Sequence, residues 1–250
     1  MKVKNALYKL FAVLLALCAW QAAACYVGYS ILLPAPKHVF ASLLRLFKDD
    51  SFFSAITYSF GKIISGFLWG SLLGTIFGIL SGKFKLIETL LWPYMITIKS
   101  IPVASFTIVA LIWLTSDELS TFVSFLMVTP IVYTNVLQGY KSIDSKLIQM
   151  ANIFKMPFYK RLLYITVPGL KPFILSACSV AFGLAWKSGV AAELIGLSDN
   201  SIGGELYYTK LNFMTDDLFA WTFVIIAISV FFEKLFIALL KCMFKGVEKL

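Results

Sequence analysis

Six apolar stretches, each long enough to cross a bilayer, constrain this chain more than any other feature. A helix needs about 20 apolar residues to span the hydrocarbon core. The windows at roughly 10–33, 57–81, 86–114, 119–139, 172–195 and 218–240 reach that length. They consume most of the 250 residues. The sequence therefore predicts an all-α polytopic membrane protein, with one transmembrane domain over 1–250 and no separate soluble catalytic module. With 60% apolar and only 14% charged residues, a soluble domain is excluded.

Orientation follows from where Lys and Arg fall, because short basic loops stay cytoplasmic. With a cytoplasmic N-terminus, the inner side holds Lys2, Lys4, Lys9, Lys83, Lys85, Lys141, Lys146, Lys155, Lys160, Arg161, Lys171, Lys241, Lys245 and Lys249. The outer side holds Lys37, Arg45, Lys48 and Lys210, and Lys62, Lys99, Lys187 and Lys234 fall within spans. Both termini are therefore expected on the cytoplasmic side. The net charge of +9 then reflects topology and anionic inner-leaflet lipid, and a nucleic-acid partner is set aside. Lys2, Lys4 and Lys9 ahead of an apolar run ending in Ala22-Ala23-Ala24-Cys25 also fit a secretory leader. The apolar character resumes after Cys25 through Leu33, so an uncleaved first span is expected. Cys18, Cys25, Cys178 and Cys242 have no metal-ligand spacing and read as packing residues.

Gly66, Gly70, Gly74, Gly78 and Gly82 recur every four residues in the second window. On a helix they form one smooth ridge, the surface that lets backbones approach closely in lipid. The adopted reading is packing against a helix of the same subunit; a dimer contact is the alternative. Pro93 and Pro102, with Lys99-Ser100 between them, interrupt the third window, and Pro130 interrupts the fourth. Proline removes a backbone donor, and in a membrane the freed carbonyls must face protein or an aqueous cavity. A substrate pathway and a packing irregularity are both open readings. Lys99, Ser100, Pro102, Trp186, Lys187 and Glu193 are the candidate pathway residues, since ionisable groups inside spans usually face water. Two cavity lysines would favour an anionic substrate; pairing with Glu193 or with backbone carbonyls is the other reading.

Nothing in the chain supports an enzyme. It has no G-x-x-x-x-G-K-[ST], G-x-S-x-G or H-E-x-x-H run, and its single histidine, His38, has no metal-ligand companions. What remains unexplained is the segment from Lys141 to Pro172, with six basic residues and apolar side chains at helical spacing. Those are Leu147, Met150, Ala151, Phe154, Phe158, Leu162 and Ile165. A solvated loop has no use for them, whereas a loop docked on a partner protein does.

Within that segment, Gln149-Met150-Ala151, three residues, Lys155, nine residues and Ile165-Thr166-Val167-Pro168 resemble a known signature. It is the E-A-A-x(3)-G-x(9)-I-x-L-P pattern of binding-protein-dependent ABC importer permeases. The wider chain is similar to the branch associated with nitrate, sulfonate, taurine and thiamine-precursor uptake. The similarity rests on Leu33-Pro34-Ala35-Pro36, Lys99-Ser100-Ile101-Pro102, Ala185-Trp186, Val190-Ala191-Ala192-Glu193-Leu194 and Thr215-Asp216-Asp217-Leu218-Phe219-Ala220. Gln149, Met150 and Lys155 replace the family's Glu, Ala and Gly, while Ala151, Ile165 and Pro168 match. Losing the Gly means that a residue with a side chain must make the bend.

The resemblance implies a type I importer fold in the bacterial inner (plasma) membrane. It implies that Gln149, Met150, Ala151, Lys155, Lys160, Arg161, Ile165 and Pro168 belong to short coupling helices docking on a cytoplasmic ATPase. That partner, not this chain, would bind ATP and Mg; no cofactor or metal is expected here. An extracytoplasmic binding protein would deliver a small anionic or heterocyclic solute, and a second permease would complete a homodimer or heterodimer. An ion-gradient-driven secondary transporter is the alternative reading. It would want acidic residues at the midplane and an inverted repeat; no clear repeat is present, and the ionisable residues inside spans are mostly lysine.

Overall fold

Glycine, proline and capping side chains decide where each apolar stretch stops being helix. The structure is a computed structural model that describes residues 2–247, and it is all-helical among them. Lys249 of the basic set lies outside the described residues. Helix α1 (Lys2–Val27) ends where Gly28 takes a left-handed backbone, φ +71°. The apolar part of α1 is thus shorter than the window 10–33, because residues 28–35 turn away and Pro36 opens α2 (Pro36–Leu46). Pro at a first helical position loses no hydrogen bond there, so the new helix starts cleanly.

Asp49 caps α3 (Asp50–Lys83), accepting a bond from the Ser51 amide. The third window is not one kinked span. Helix α4 (Lys85–Ser100) and α5 (Val103–Ala110) meet at 102°, with Ile101 and Pro102 extended between them. Pro93 and Pro130 sit inside unbroken helices, so only Pro102 breaks its span. Thr115 donates through both its amide and its hydroxyl to Glu118, fixing the start of α6 (Ser116–Lys141).

The Lys141–Pro172 segment holds α7 (Ser145–Ile153), α8 (Phe158–Arg161) and a π-helical turn at Leu162–Thr166. That turn runs straight into α9 (Val167–Gly196). From Tyr159 to Gly196 the chain is one apolar helical run of 38 residues, much longer than the window 172–195. The expectation of several short coupling helices is corrected: α7 is the short one, and the rest extends the fifth span. The π turn explains the continuity. Pro168 has no amide hydrogen for the α-helical bond to Tyr164, so the ladder widens and the Val167 amide bonds Leu162. After α10 (Ile202–Leu211), α11 (Thr215–Val247) completes the chain.

Among the described residues four helices are long and apolar enough to cross a membrane, or five if the bent α4–α5 pair counts as one span, against the six windows expected from the sequence. Helix α1 contributes a shorter apolar stretch, Phe11–Val27, stacking Trp20 on Phe219 and Phe223 of α11. Helix α6 is the central member, packed between α3 and α9. Its buried face carries Val123, Val128, Val132 and Val136, and beside it Phe67, Phe182, Trp186 and Trp221 fill the core. Trp186, a candidate pathway residue, is fully buried in that core.

Five of the six glycines of α3, from Gly66 to Gly82, lie against α6, and Gly61 faces open space. A Cβ at Gly66 would come within 2.3 Å of the Thr121 carbonyl oxygen, and at Gly74 within 2.8 Å of that of Thr129. The dimer alternative for this ridge is overturned by its contacts, since α6 of the same chain already occupies it. At one end of the bundle Glu88 accepts from Lys141 (2.7 Å) and Lys85 (3.2 Å), tying α4 to the end of α6 beside the basic segment. At the other end Arg45 of α2 donates to both carboxylate oxygens of Asp217 (2.5 and 2.6 Å), and Thr215 bonds the Ile31 carbonyl (2.7 Å). Residues on either side of Leu33-Pro34-Ala35-Pro36, Ile31 and Arg45, thus meet the Thr215–Ala220 stretch, far away in sequence.

Candidate functional site

The basic segment is built on a buried alanine. Asp144 caps α7 by accepting from the Lys146 amide (2.9 Å), and Ala151 turns inward to 2% exposure. With Ala151 seated, the neighbouring apolar side chains point outward. Leu147 and Met150 are each more than two-fifths exposed, and Ile153 and Phe154 more than three-quarters. Exposed large apolar side chains grouped in this way are the usual make-up of a contact surface.

The bend after α7 falls on Lys155, whose φ is 48°. Its amide bonds Asn152, and the Met156 amide reaches back to Ala151 (2.9 Å). Arg161 donates to the Asn152 side chain (3.1 Å), bracing α8 against α7. Ile165 is buried, and Pro168 lies in the first turn of α9. Gln149, Met150, Ala151, Lys155, Lys160, Arg161, Ile165 and Pro168 therefore lie along one turn-linked unit. A residue with a Cβ pays about 1 kcal/mol or more for a left-handed backbone. Lys155→Gly is accordingly expected to stabilise the bend by about 0.5–1 kcal/mol, read as a rise in thermal midpoint, whereas Lys155→Val should lower it.

The candidate pathway residues do not form one pocket. Lys99 is exposed near the bend of the third span and donates to Thr134 of α6 (3.1 Å). Ser100 bonds its own helix at Ile96, and Pro102 forms the corner. Lys187 is exposed on α9, beside the buried Trp186. Among the described residues no ion pair joins Lys187 to Glu193.

Glu193 is the most enclosed charged residue, with 0% exposure. Its carboxylate accepts from Ser59 of α3 (2.7 Å), Ser120 of α6 (3.1 Å) and the Gly203 amide of α10 (3.2 Å). It is a junction of four helices rather than a pathway wall. The sequence reading missed Ser59 and Ser120 as its partners; Ser59 stands one heptad before Gly66 on the ridge face, which was the available signal. On α10, burial and the nearby Asp49 carboxylate push Glu205 above the ordinary carboxylate range.

The family model for binding-protein-dependent transport system inner membrane components matches residues 70–247, which contain α6, the basic segment and Glu193. Among known proteins the chain is similar to the putative aliphatic sulfonates transport permease protein SsuC of Bacillus subtilis. Identity is 27% over 189 residues, covering 75% of this chain and 68% of that one. It is similar to the taurine transport system permease protein TauC of Escherichia coli, 25% identical over 222 residues, 86% and 80% of the two chains. It is also similar to the nitrate import permease protein NrtB of Synechococcus elongatus, 25% identical over 198 residues, 75% and 70% of the two chains. An all-helical bundle with several membrane-length apolar helices agrees with that match in kind. The chain belongs to the family of binding-protein-dependent transport system inner membrane components, the multi-pass permeases of ABC transporters.

Proposed function

We propose that this chain is the permease of an ATP-driven importer, a single transmembrane domain whose Lys141–Pro172 segment docks on a separate cytoplasmic ATPase. The observation that carries the reading is α7. Its Ala151 is buried while Leu147, Met150, Ile153 and Phe154 stand exposed among Lys146, Lys155, Lys160 and Arg161. An apolar centre with a charged rim is the usual make-up of a protein interface. ATP and Mg belong to the partner, and both termini lie on its side of the membrane. The basic residues around Lys83, Lys85 and the docking segment support that orientation.

An extracytoplasmic binding protein delivers the substrate to the opposite end, and a second permease, identical or similar, completes the pathway. The substrate class is a small oxyanion. The relatives are named for aliphatic sulfonates, taurine and nitrate, and Lys99 and Lys187 offer exposed positive charge within the spans.

Affinity purification of the tagged chain from its native membranes tests this directly: an ATPase should co-purify, and a stably monomeric chain without one would contradict the proposal. Charge reversal at Lys146, Lys160 or Arg161 should lower substrate-stimulated ATP hydrolysis about tenfold or more. The largest loss is expected at Arg161, because Arg161→Glu also breaks the brace to Asn152. Unchanged stimulation in all three variants would remove the segment from coupling.

A further inference from the structure

Helix α10 caps the end of the bundle opposite the basic segment, and its attachment is unlike that of any other element. Its first three amides are each taken by a side chain. Ile202 bonds the Ser59 hydroxyl (2.9 Å), Gly203 the Glu193 carboxylate (3.2 Å) and Gly204 the Ser201 hydroxyl (2.9 Å). A carboxylate under a helix N-terminus is favoured by the helix dipole and by the amides it satisfies. Gly203 is required there: a Cβ would sit 2.4 Å from the Glu193 Cβ.

The contact between α3 and α6 divides into two zones. From Gly66 to Gly74 the α3 backbone lies against α6 carbonyls, and at Gly78 and Gly82 against the Val136 and Tyr140 side chains, with no room for a Cβ. Beyond Gly66, towards α10, hydrogen bonds replace that packing. Thr121 donates to the Lys62 carbonyl (3.0 Å), and Ser59 and Ser120 both donate to Glu193. Close-packed backbones part only at great cost, whereas hydrogen bonds to a carboxylate can be exchanged for water as a site opens.

The turns on either side of α10 point the same way. Among the described residues four non-glycine positions have left-handed backbones, and three flank this helix: Leu197 and Asn200 before it, Phe213 after it. Strained backbone of this kind gathers at segments that switch or clamp.

We propose that Glu193 is a positioning residue that latches α10 as a movable cap, and that release of this latch accompanies the outward opening of the permease. The proposal rests on the importer reading, in which the bundle alternates between two openings. The Gly66–Gly82 ridge is the fixed part, and the Glu193 junction is the part that exchanges partners.

Hydrogen–deuterium exchange on the permease–ATPase complex in lipid nanodiscs tests it, comparing wild type with Glu193→Gln and each with and without ATP and vanadate. In Glu193→Gln, amides 202–211 should exchange about tenfold faster, while amides 66–82 stay unchanged. In the wild type, exchange over 202–211 should differ several-fold between the nucleotide states. Ser120→Ala, which leaves the Ser59 and Gly203 bonds in place, should give a smaller rise at the same amides and covers a folding failure of Glu193→Gln. A parallel rise across the ridge, unchanged exchange in α10, or identical wild-type exchange in both nucleotide states would each overturn the latch. If no ATPase associates with the chain, the importer reading fails by itself, and the Glu193→Gln comparison on the permease alone still decides whether Glu193 holds α10.

Discussion

Gly66→Val and Gly74→Val should each leave almost no folded protein in the membrane. At Gly66 the first added carbon already lies 2.3 Å from the Thr121 carbonyl oxygen and 2.9 Å from the Ser124 Cβ. A backbone oxygen cannot rotate away, so α3 and α6 must separate along their length. One extra methylene in a well-packed core costs about 1–3 kcal/mol, and valine brings three carbons to a site with room for none. A loss of about 4 kcal/mol or more is comparable to the whole stability of many domains. Helices in lipid associate through such close packing, so the lost contact has no hydrophobic substitute. Gly61 and Gly183, where nothing lies within 4 Å of a Cβ, are the internal controls. Their alanine variants should be neutral or better by about 0.5–1 kcal/mol, because alanine favours helix. Size-exclusion profiles and thermal midpoints in detergent separate the two groups.

The second large effect is expected at Phe154. Its side chain is 76% exposed and next to Ile153 at 79%, so Phe154→Asp removes nothing from the fold. Surface substitutions of this kind change stability by about 0.5 kcal/mol or less. At the centre of an interface, however, a buried aromatic anchor commonly contributes 2 kcal/mol or more, and an aspartate there would also be desolvated. ATPase affinity should therefore fall about 30-fold or more, with an unchanged thermal midpoint. Binding of the purified permease to its ATPase, measured by titration in detergent, gives both numbers on one sample. Equal affinity for wild type and Phe154→Asp would place the docking surface elsewhere.

Much of this architecture was legible because it is written in local periodicities. The four-residue glycine repeat marks a helix face whichever helix it meets, and the apolar windows marked helices, although the first is too short to count as a span and the third is bent. The apolar spacing from Leu147 to Phe154 marked a short helix whose large apolar side chains stand exposed. What local patterns could not decide is the response of each backbone to its prolines. Pro93, Pro102 and Pro130 look alike in sequence, yet only Pro102 breaks a helix. Pro93 and Pro130 lie inside helices that stay regular around them, and at Pro168 a π turn absorbs the missing donor.

Long-range polar contacts were beyond reach for another reason. Glu193 meets Ser59 across 134 positions and Ser120 across 73, and no spacing rule connects residues so distant. Glu193 was therefore read as a pathway residue when it is a buried junction. The replacement of the family's glycine by Lys155 was legible as a bend that a side-chain-bearing residue would have to make, and the backbone there is left-handed.

The central claim is that ATP hydrolysis by a partner, and no ion gradient, drives solute through this chain. Uptake into proteoliposomes containing the permease, its co-purifying ATPase and a loaded binding protein tests it most directly, with a radiolabelled small sulfonate or nitrate as probe. The account predicts uptake that requires ATP, persists when proton and sodium gradients are collapsed, and falls about tenfold or more with Phe154→Asp. Uptake by the permease alone, driven by an imposed gradient without ATP, would contradict it.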